Sequence, residues 1–385
     1  MAADKKDEKK SKERFVVKLD MMERGDKSAI ARIVKEVQKA FKETPSVITM
    51  NPQAGAIIKY RTGIASLDRA LGVGGIYGGR IVNCWGWEGT GKTLTGMAVG
   101  GEVQRQGGVV AFLDAEGTFS PLFAAACGLD VEQLIYVRST PDRVMAGEDF
   151  LETARVLIAQ GVDFVLVDSA AALVPSQRLQ QSFGEGQQAT QARMLSDELQ
   201  KMTQYLSAGQ RTIVWFTNQM RGKPMEMFGA KEGPTGGNAL PFYQSYGFQM
   251  MKVKDIIAKV KTQDGRIEEK IIGASVGLRI TKNKTAPKPV SPVLFDIYTS
   301  FQTLEDGTEI KPGIDIIKDM FEVGTALGVI EQKGAWYSFG GIRGQGMPDF
   351  CEALRGSPKV IEAMRERIVG ITPATEEVED ETEPA

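Results

Sequence analysis

The chain has 385 residues, 42% of them hydrophobic and 25% charged, which fits a soluble globular protein of two domains, or of one large domain with small appendages. With 47 Lys+Arg against 49 Asp+Glu the formal net charge is −2, so any nucleic-acid site has to be local rather than spread over the surface. There is no histidine, which removes Ser-His-Asp and Cys-His catalysis, His-ligated zinc and any imidazole base; Cys84, Cys127 and Cys351 are too few and too scattered for a four-cysteine zinc site or a disulfide framework. Residues 1–14 hold six basic and four acidic side chains and read as a solvated arm lacking the apolar stretch of a signal peptide. Ile30, Ile33, Val34, Val37 and Phe41 follow at helical spacing, on a helix that either packs on its own domain or docks on a neighbouring subunit.

From about residue 57 to 285 short apolar runs alternate with helical patterns. IVNCWG (81–86), VVAFLDAE (109–116), LIYVRS (134–139), FVLVDS (164–169) and TIVWFTN (212–218) read as strands, with helices near 91–106, 144–159 and 191–208. Strands that are apolar on both faces and separated by helices predict an α/β fold, a mostly parallel twisted sheet flanked by helices. YGFQMMKVK (246–254) and IIGASVGLRITKN (271–283) flank the turn Asp264-Gly265 and read as an antiparallel pair. A helical segment at 314–328, a small hairpin in GAWYSFGGIRGQG (334–346) with Trp336 and Tyr337 as core aromatics, and a helix at 358–369 predict a small α/β C-terminal domain. The last ten residues hold six acids and no base, the composition of a disordered tail. The predicted division is an N-terminal arm and helix (1–56), a core (57–312), a small C-terminal domain (313–370) and an acidic tail (371–385). The longest uncharged stretch, Gly233 to Met251, is rich in Gly, Pro, Asn and Gln, so no membrane span is expected and the location is expected to be cytoplasmic.

Gly86-Trp87-Glu88-Gly89-Thr90-Gly91-Lys92-Thr93 matches G-x-x-x-x-G-K-[ST] in full, after an apolar strand and at the start of a helix. Glycines let the backbone wrap closely, so that successive N–H groups and the helix N-terminus face phosphate. Lys92 then reaches the β- and γ-phosphates and the Thr93 hydroxyl ligates Mg²⁺. Asp168 ends the apolar run 164–167, where a carboxylate holds a metal-bound water. With no histidine, a carboxylate has to polarise an attacking water; Glu116 is the choice and Asp114 the competitor.

Two long segments stand out. Residues 176–190 are Gln-rich, and 220–237 interleave Arg221, Lys223 and Lys231 with Met225, Met227 and Phe228. Cations for phosphates with apolar wedges for bases suit a single nucleic-acid strand, and the residues alone fit an ordinary surface loop equally well. Gln219 follows the strand TIVWFTN and begins the second of these segments, where an amide can bond toward a γ-phosphate. Lys282 and Lys284 sit at alternate positions, on one face of a strand, and read alone as a solvated sheet edge.

SLDRALGVGGIYGGRIV (66–82), the phosphate loop, FLDAEG (112–117), VDSAAALVP (167–175), ARMLSDEL (192–199), TNQMRGKPMEMFG (217–229), PTGGNALPFY (234–243), TKNKTAP (281–287) and KGAWYSFGGIRGQG (333–346) occur in one order that resembles the bacterial-type homologous recombinases of the RecA family, over about residues 28–369. The resemblance implies a RecA-like P-loop NTPase core and a DNA-dependent ATPase that forms helical filaments on single-stranded DNA, pairs them with homologous duplex and exchanges strands in recombination and repair. It implies ATP and Mg²⁺ as cofactors, and as partners single-stranded DNA, double-stranded DNA, further copies of the chain, and loading and single-strand-binding proteins. By matching position it makes Arg193, Ser196, Met227, Phe228, Gly236, Gly237 and Asn238 DNA contacts, with Arg221 and Lys223 beside them. Gln219 would link nucleotide state to loop order, and Lys282 and Lys284 would reach across the filament interface to a neighbour's ATP. Phe242 matches an interface aromatic, while Pro241 takes the place of a common lysine, and Gln200 and Pro224 also depart from the family pattern. Ser120 and Phe123 occupy adenine-pocket positions where Asp and Tyr are usual. Lys333, Arg343, Arg355, Lys359, Arg365 and Arg367 would help capture duplex DNA, tempered by the acidic tail. The alternatives are a ring-forming DNA motor on the same fold and a non-catalytic ATP-binding accessory protein.

Overall fold

The computed structural model describes residues 58–179, 188–222, 232–234, 239–262, 264–286 and 292–370. The predicted N-terminal helix and the acidic tail lie outside these residues. In chain order the strands are β1 (Lys59–Tyr60), β2 (Ile76–Tyr77), β3 (Arg80–Gly86), β4 (Val110–Asp114), β5 (Leu134–Arg138), β6 (Phe164–Asp168), β7 (Ile213–Gly222), β8 (Glu232–Pro234), β9 (Tyr246–Lys261), β10 (Ile267–Asn283), β11 (Val293–Tyr298), β12 (Gln302–Thr303), β13 (Glu309–Ile310), β14 (Gly313–Ile314), β15 (Glu331–Lys333), β16 (Trp336–Phe339) and β17 (Ile342–Gln345). The helices are α1 (Ala65–Ala70), α2 (Lys92–Arg105), α3 (Pro121–Ala126), α4 (Gly147–Ala159), α5 (Ser176–Leu179), α6 (Gln188–Ser207), α7 (Ala239–Tyr243), α8 (Ile316–Ala326), α9 (Gly346–Arg355) and α10 (Pro358–Gly370).

Ten strands make one sheet in the order β14-β11-β10-β9-β3-β7-β6-β4-β5, with β8 paired to β7. From β9 to β5 the neighbours run parallel. The period of two along a strand explains the two cores. On β6 and β7, Phe164, Leu166, Ile213 and Trp215 face one layer with Leu94, Met97 and Val103 of α2. Val165, Val167, Val214 and Phe216 face the other, with Phe150, Leu151 and Ile158 of α4 and Leu195 and Leu199 of α6. Both faces being covered is why these strands read as continuous apolar runs. The parallel ladders bring the C-terminal ends of β3, β4, β6 and β7 to one edge, where the candidate site lies.

Several readings need correction. β5 is the sheet's outer strand, with Ile135 and Tyr136 each 37% exposed, rather than a strand buried on both faces. Segment 220–237 is not loop throughout: β7 runs on through Gly222 and pairs with β8, Arg221 opposite Gly233. In 176–190 the first four residues form α5 and α6 begins at Gln188. Toward the C-terminus the hairpin β16–β17 is present, joined by β15, and a helix missed in the sequence, α9, follows it directly. Tyr337 packs on Phe321, centroids 4.8 Å apart, but Trp336 is 40% exposed and lies under the Arg343 guanidinium at 4.4 Å. An exposed ring under a cation retains favourable contact without burial, which apolar patterning does not reveal. No helix among the described residues is long and apolar enough to cross a membrane.

Buried charge ties α1 and α2 to the C-terminal helices. Glu102, at the far end of α2, is met by Arg105 at 2.9 Å and by Arg61 and Arg365 at 3.7 Å each, Arg365 coming from α10. Beside it, fully buried Asp68 accepts from the Thr62 N–H at 2.8 Å. Burial, partly offset by the Thr62 bonds, pushes the Asp68 carboxyl up to about 7, with the charges of Glu102 and Asp319 adding to the rise. A folded-state value raised above the unfolded one stabilises the fold at low pH, and that contribution is lost as pH rises through about 7. Asp68→Asn keeps an acceptor for Thr62 and cannot ionise. It should leave the thermal midpoint unchanged near pH 4 and raise stability at pH 8 by on the order of 2 kcal/mol, read from paired denaturation curves.

Candidate active site

The Gly86–Thr93 turn is shaped by what its glycines leave out. A Cβ on Gly86 would stand 2.3 Å from the Met250 carbonyl oxygen, because β9 passes directly alongside. Gly91 has φ +82° at the N-cap of α2, and a Cβ there would meet Ile297 at 2.5 Å. The Thr90 hydroxyl and the Lys92 ammonium both donate to the Trp87 carbonyl at 2.8 Å, so the turn is already curled. Gly86, Trp87 and Thr90 thus shape the loop. Glu88, Gly89, Gly91, Lys92 and Thr93 line a cavity of about 270 Å³ with Glu116, Phe123, Asp168, Ser169, Thr217, Gln219 and Thr299.

At the end of β6, Asp168 accepts from the Thr93 hydroxyl at 3.1 Å and from the buried Thr217 hydroxyl, both on Oδ1. Burial, helped by the charges of Glu116 and Asp114, pushes Asp168 up to about 6 against the two hydroxyl bonds. Burial also draws Lys92 below the ordinary lysine range, while Asp168, Glu116 and Glu88 oppose that shift. A cation with carboxylates around it, at the N-terminus of a helix, is a place for bound phosphate and a divalent ion.

The geometry separates the two competing carboxylates. Asp114 is buried and spent on its own turn: Oδ1 accepts from Gly117 N–H at 2.7 Å and Thr118 N–H at 3.3 Å, and Oδ2 from Phe119 N–H at 3.1 Å and the Tyr136 hydroxyl at 2.9 Å. Glu116 lines the cavity and takes one hydrogen bond, from the Ser169 hydroxyl on Oε1. Phe123 lines the cavity as well. Ser120 does not: it caps α3, accepting from the Phe123 N–H at 3.4 Å. Ser169, Thr217 and Thr299 were missed in the sequence. A threonine directly after the apolar run Ile213–Phe216 was the available signal for Thr217.

Lys282 and Lys284 lie away from this cavity. Strand β10 ends at Asn283, so Lys284 lies beyond it and the two lysines do not share a strand face as expected. The Lys282 ammonium donates to the carbonyls of Pro241 at 2.7 Å and Phe242 at 3.2 Å, in the last turn of α7. Phe242 itself is 72% exposed. Burial, and next the charge of Lys284, lowers the Lys282 pKa. Lys284 borders a separate hollow of about 330 Å³ with Arg80, Tyr243 and Ser245. On α6, Arg193 is exposed and Ser196 half-buried, three residues apart on one helix face. Arg221 is on β7; Lys223, Met227, Phe228, Gly236, Gly237 and Asn238 lie outside the described residues.

A family model for the RecA N-terminal domain matches residues 28–301, and one for the RecA C-terminal domain matches 318–370. The chain belongs to the RecA family. It is 35% identical to Protein RecA of Thermus thermophilus over 350 residues, covering 90% of this chain and 95% of that one. Protein RecA of Chloroflexus aurantiacus is 34% identical over 345 residues, 89% of this chain and 90% of its own. Protein RecA of Herpetosiphon aurantiacus is 35% identical over 347 residues, 90% and 89% respectively. As a RecA-family protein the chain is a recombinase of DNA recombination and repair with DNA-dependent ATPase activity, and a nucleotide-binding protein.

Proposed function

We propose that the cavity at the Gly86–Thr93 turn binds ATP with Mg²⁺, and that the chain hydrolyses it while assembled as a helical filament on single-stranded DNA that pairs with duplex and exchanges strands. One observation carries this reading: Lys92, Thr93, Glu116, Asp168 and Gln219 converge on one cavity at the C-terminal ends of β3, β4, β6 and β7. The donor set fits the ion. Among the described residues no cluster of three or more acids or cysteines could hold a metal alone, and a hydroxyl with one buried carboxylate suits Mg²⁺ bound largely by phosphates and water.

When bound, the ion neutralises charge on the β- and γ-phosphates. The loop N–H groups and Lys92 hold the phosphates. Thr93 would ligate the ion, Asp168 would orient its water, and Glu116 would accept a proton from the attacking water, Ser169 keeping the carboxylate in place. Phe123 offers an apolar wall to a base. Gln219 lies on the same strand as Arg221, so γ-phosphate contact and the DNA segment with Lys223, Met227, Phe228, Gly236, Gly237 and Asn238 are joined through β7. Arg193 and Ser196 would face DNA from α6. Lys282 and Lys284 would complete a neighbour's site, a role supported by their distance from their own chain's cavity and by the exposed Phe242 beside them. The arm (1–56) would assist polymerisation, the core (57–312) carry chemistry and DNA, the C-terminal domain (313–370) meet duplex, and the tail (371–385) compete for its cations. Loading and single-strand-binding proteins would govern filament start, in the cytoplasm.

The test is ATP hydrolysis with and without single-stranded DNA, with the same samples imaged by electron microscopy. Strong stimulation together with open helical filaments is expected. Rings with stimulated turnover would indicate a translocating motor, and ATP binding without turnover an accessory protein.

A further inference from the structure

We propose that Thr217 is a positioning residue for the divalent ion: its hydroxyl fixes the Asp168 carboxylate so that Thr93 and Asp168 act as one unit. The proposal rests on the ATP–Mg²⁺ reading of this cavity. Thr217 sits on β7 after four consecutive buried apolar residues, Ile213 to Phe216, opposite Cys84 of β3 and itself fully buried. A hydroxyl in such a strand needs a partner. Its single proton has two acceptors in reach, the Val167 carbonyl at 3.3 Å and Asp168 Oδ1, which is the nearer and, when ionised, the stronger.

Thr93, at the start of α2, donates to that same Oδ1 at 3.1 Å. The two hydroxyls take up both lone pairs of Oδ1, so a metal-bound water would be met by Oδ2. Without Thr217 the carboxylate keeps a single, longer tether and is free to rotate. Thr217 itself would act only through Asp168, and its hydroxyl would touch no reacting atom. Its part is to hold the ligand.

Thr217→Val preserves shape and removes the hydroxyl, and Thr217→Ser restores it. The concentration of Mg²⁺ giving half-maximal DNA-stimulated hydrolysis should rise about tenfold in T217V and return to within about twofold of wild type in T217S, the size expected for loss of one hydrogen bond to a charged group. Binding of a fluorescent ATP analogue supplies the second reading. Its affinity in EDTA should match wild type in both variants, and the gain in affinity on adding Mg²⁺ should shrink in T217V alone. A merely structural role would lower thermal stability and leave the Mg²⁺ dependence where it is, which overturns the proposal. If T217V loses its unfolding transition, T217C against T217S compares thiol with hydroxyl in the same small volume, and equal Mg²⁺ dependence in that pair overturns it too. Failure of the underlying ATP reading is distinct, since it would be seen in the wild type as no Mg²⁺-dependent binding at all.

Discussion

Glu116→Gln is expected to lower DNA-stimulated ATP turnover by about 10²- to 10³-fold while ATP binding and filament assembly persist, within the range for losing a general base. The substitution removes charge and proton affinity and little else. The amide oxygen still accepts from the Ser169 hydroxyl, so the side chain keeps its place on the cavity wall. Asp114→Asn makes the contrast. That carboxylate receives three backbone N–H groups and the Tyr136 hydroxyl, so its loss loosens the 114–119 turn and shows first as a lower unfolding midpoint. Steady-state hydrolysis with and without single-stranded DNA, alongside thermal unfolding, checks both. Normal stimulated turnover in E116Q would remove Glu116 from the mechanism.

Lys282→Ala subunits, assembled alone, should hydrolyse ATP at least about 10²-fold more slowly than wild type if the lysine acts in trans, by analogy of charge with a finger. The decisive experiment mixes subunits. Lys282→Ala chains carry an intact Lys92, Thr93, Glu116 and Asp168, so in a mixed filament those sites are rescued wherever the neighbour supplies a wild-type lysine. Lys92→Ala chains carry the reciprocal defect. A mixture of the two inactive variants should therefore regain turnover. If the lysine acts only within its own chain, the mixture stays inactive. The bonds from Lys282 to the Pro241 and Phe242 carbonyls use two of its three N–H donors, which leaves one for a phosphate oxygen without moving the α7 turn.

The phosphate loop was legible because its glycines, lysine and threonine are contiguous and lie between strand and helix, so a local pattern carries a local structure. The parallel core was legible for a related reason: burial on both faces writes itself as unbroken apolar runs, and the outer position of β5 escaped because LIYVR is apolar enough to pass for an inner strand. Pairings between distant segments were not legible. That Glu116 rather than Asp114 faces the cavity depends on how the 114–119 turn closes on itself. The hydroxyl of Thr217 meets Asp168 across 49 residues, through the register of β6 against β7. Lys282 and Lys284 were expected on one strand face, and the end of β10 at Asn283, which leaves Lys284 beyond it, has no mark in the residue types. Ser120 was placed by resemblance in the adenine pocket, yet a serine before a proline-initiated helix is also a good N-cap, and that local bond is the one it makes.

β7 divides the chain's tolerance to lengthening. Between Ile213 and Gly222 it is flanked by β3 and β6 and then by β8, with Thr217 on Asp168 and Gln219 on the cavity. One residue inserted there turns every later side chain to the opposite face, carrying Gln219 out of the cavity and burying what should be exposed. Extra residues placed after Gly222 leave the register of β7 against β3 and β6 as it is. Scanning insertion across this stretch should thus show a sharp border at Gln219, the last β7 residue on the cavity, with ATP turnover in the absence of DNA lost before it and retained after it.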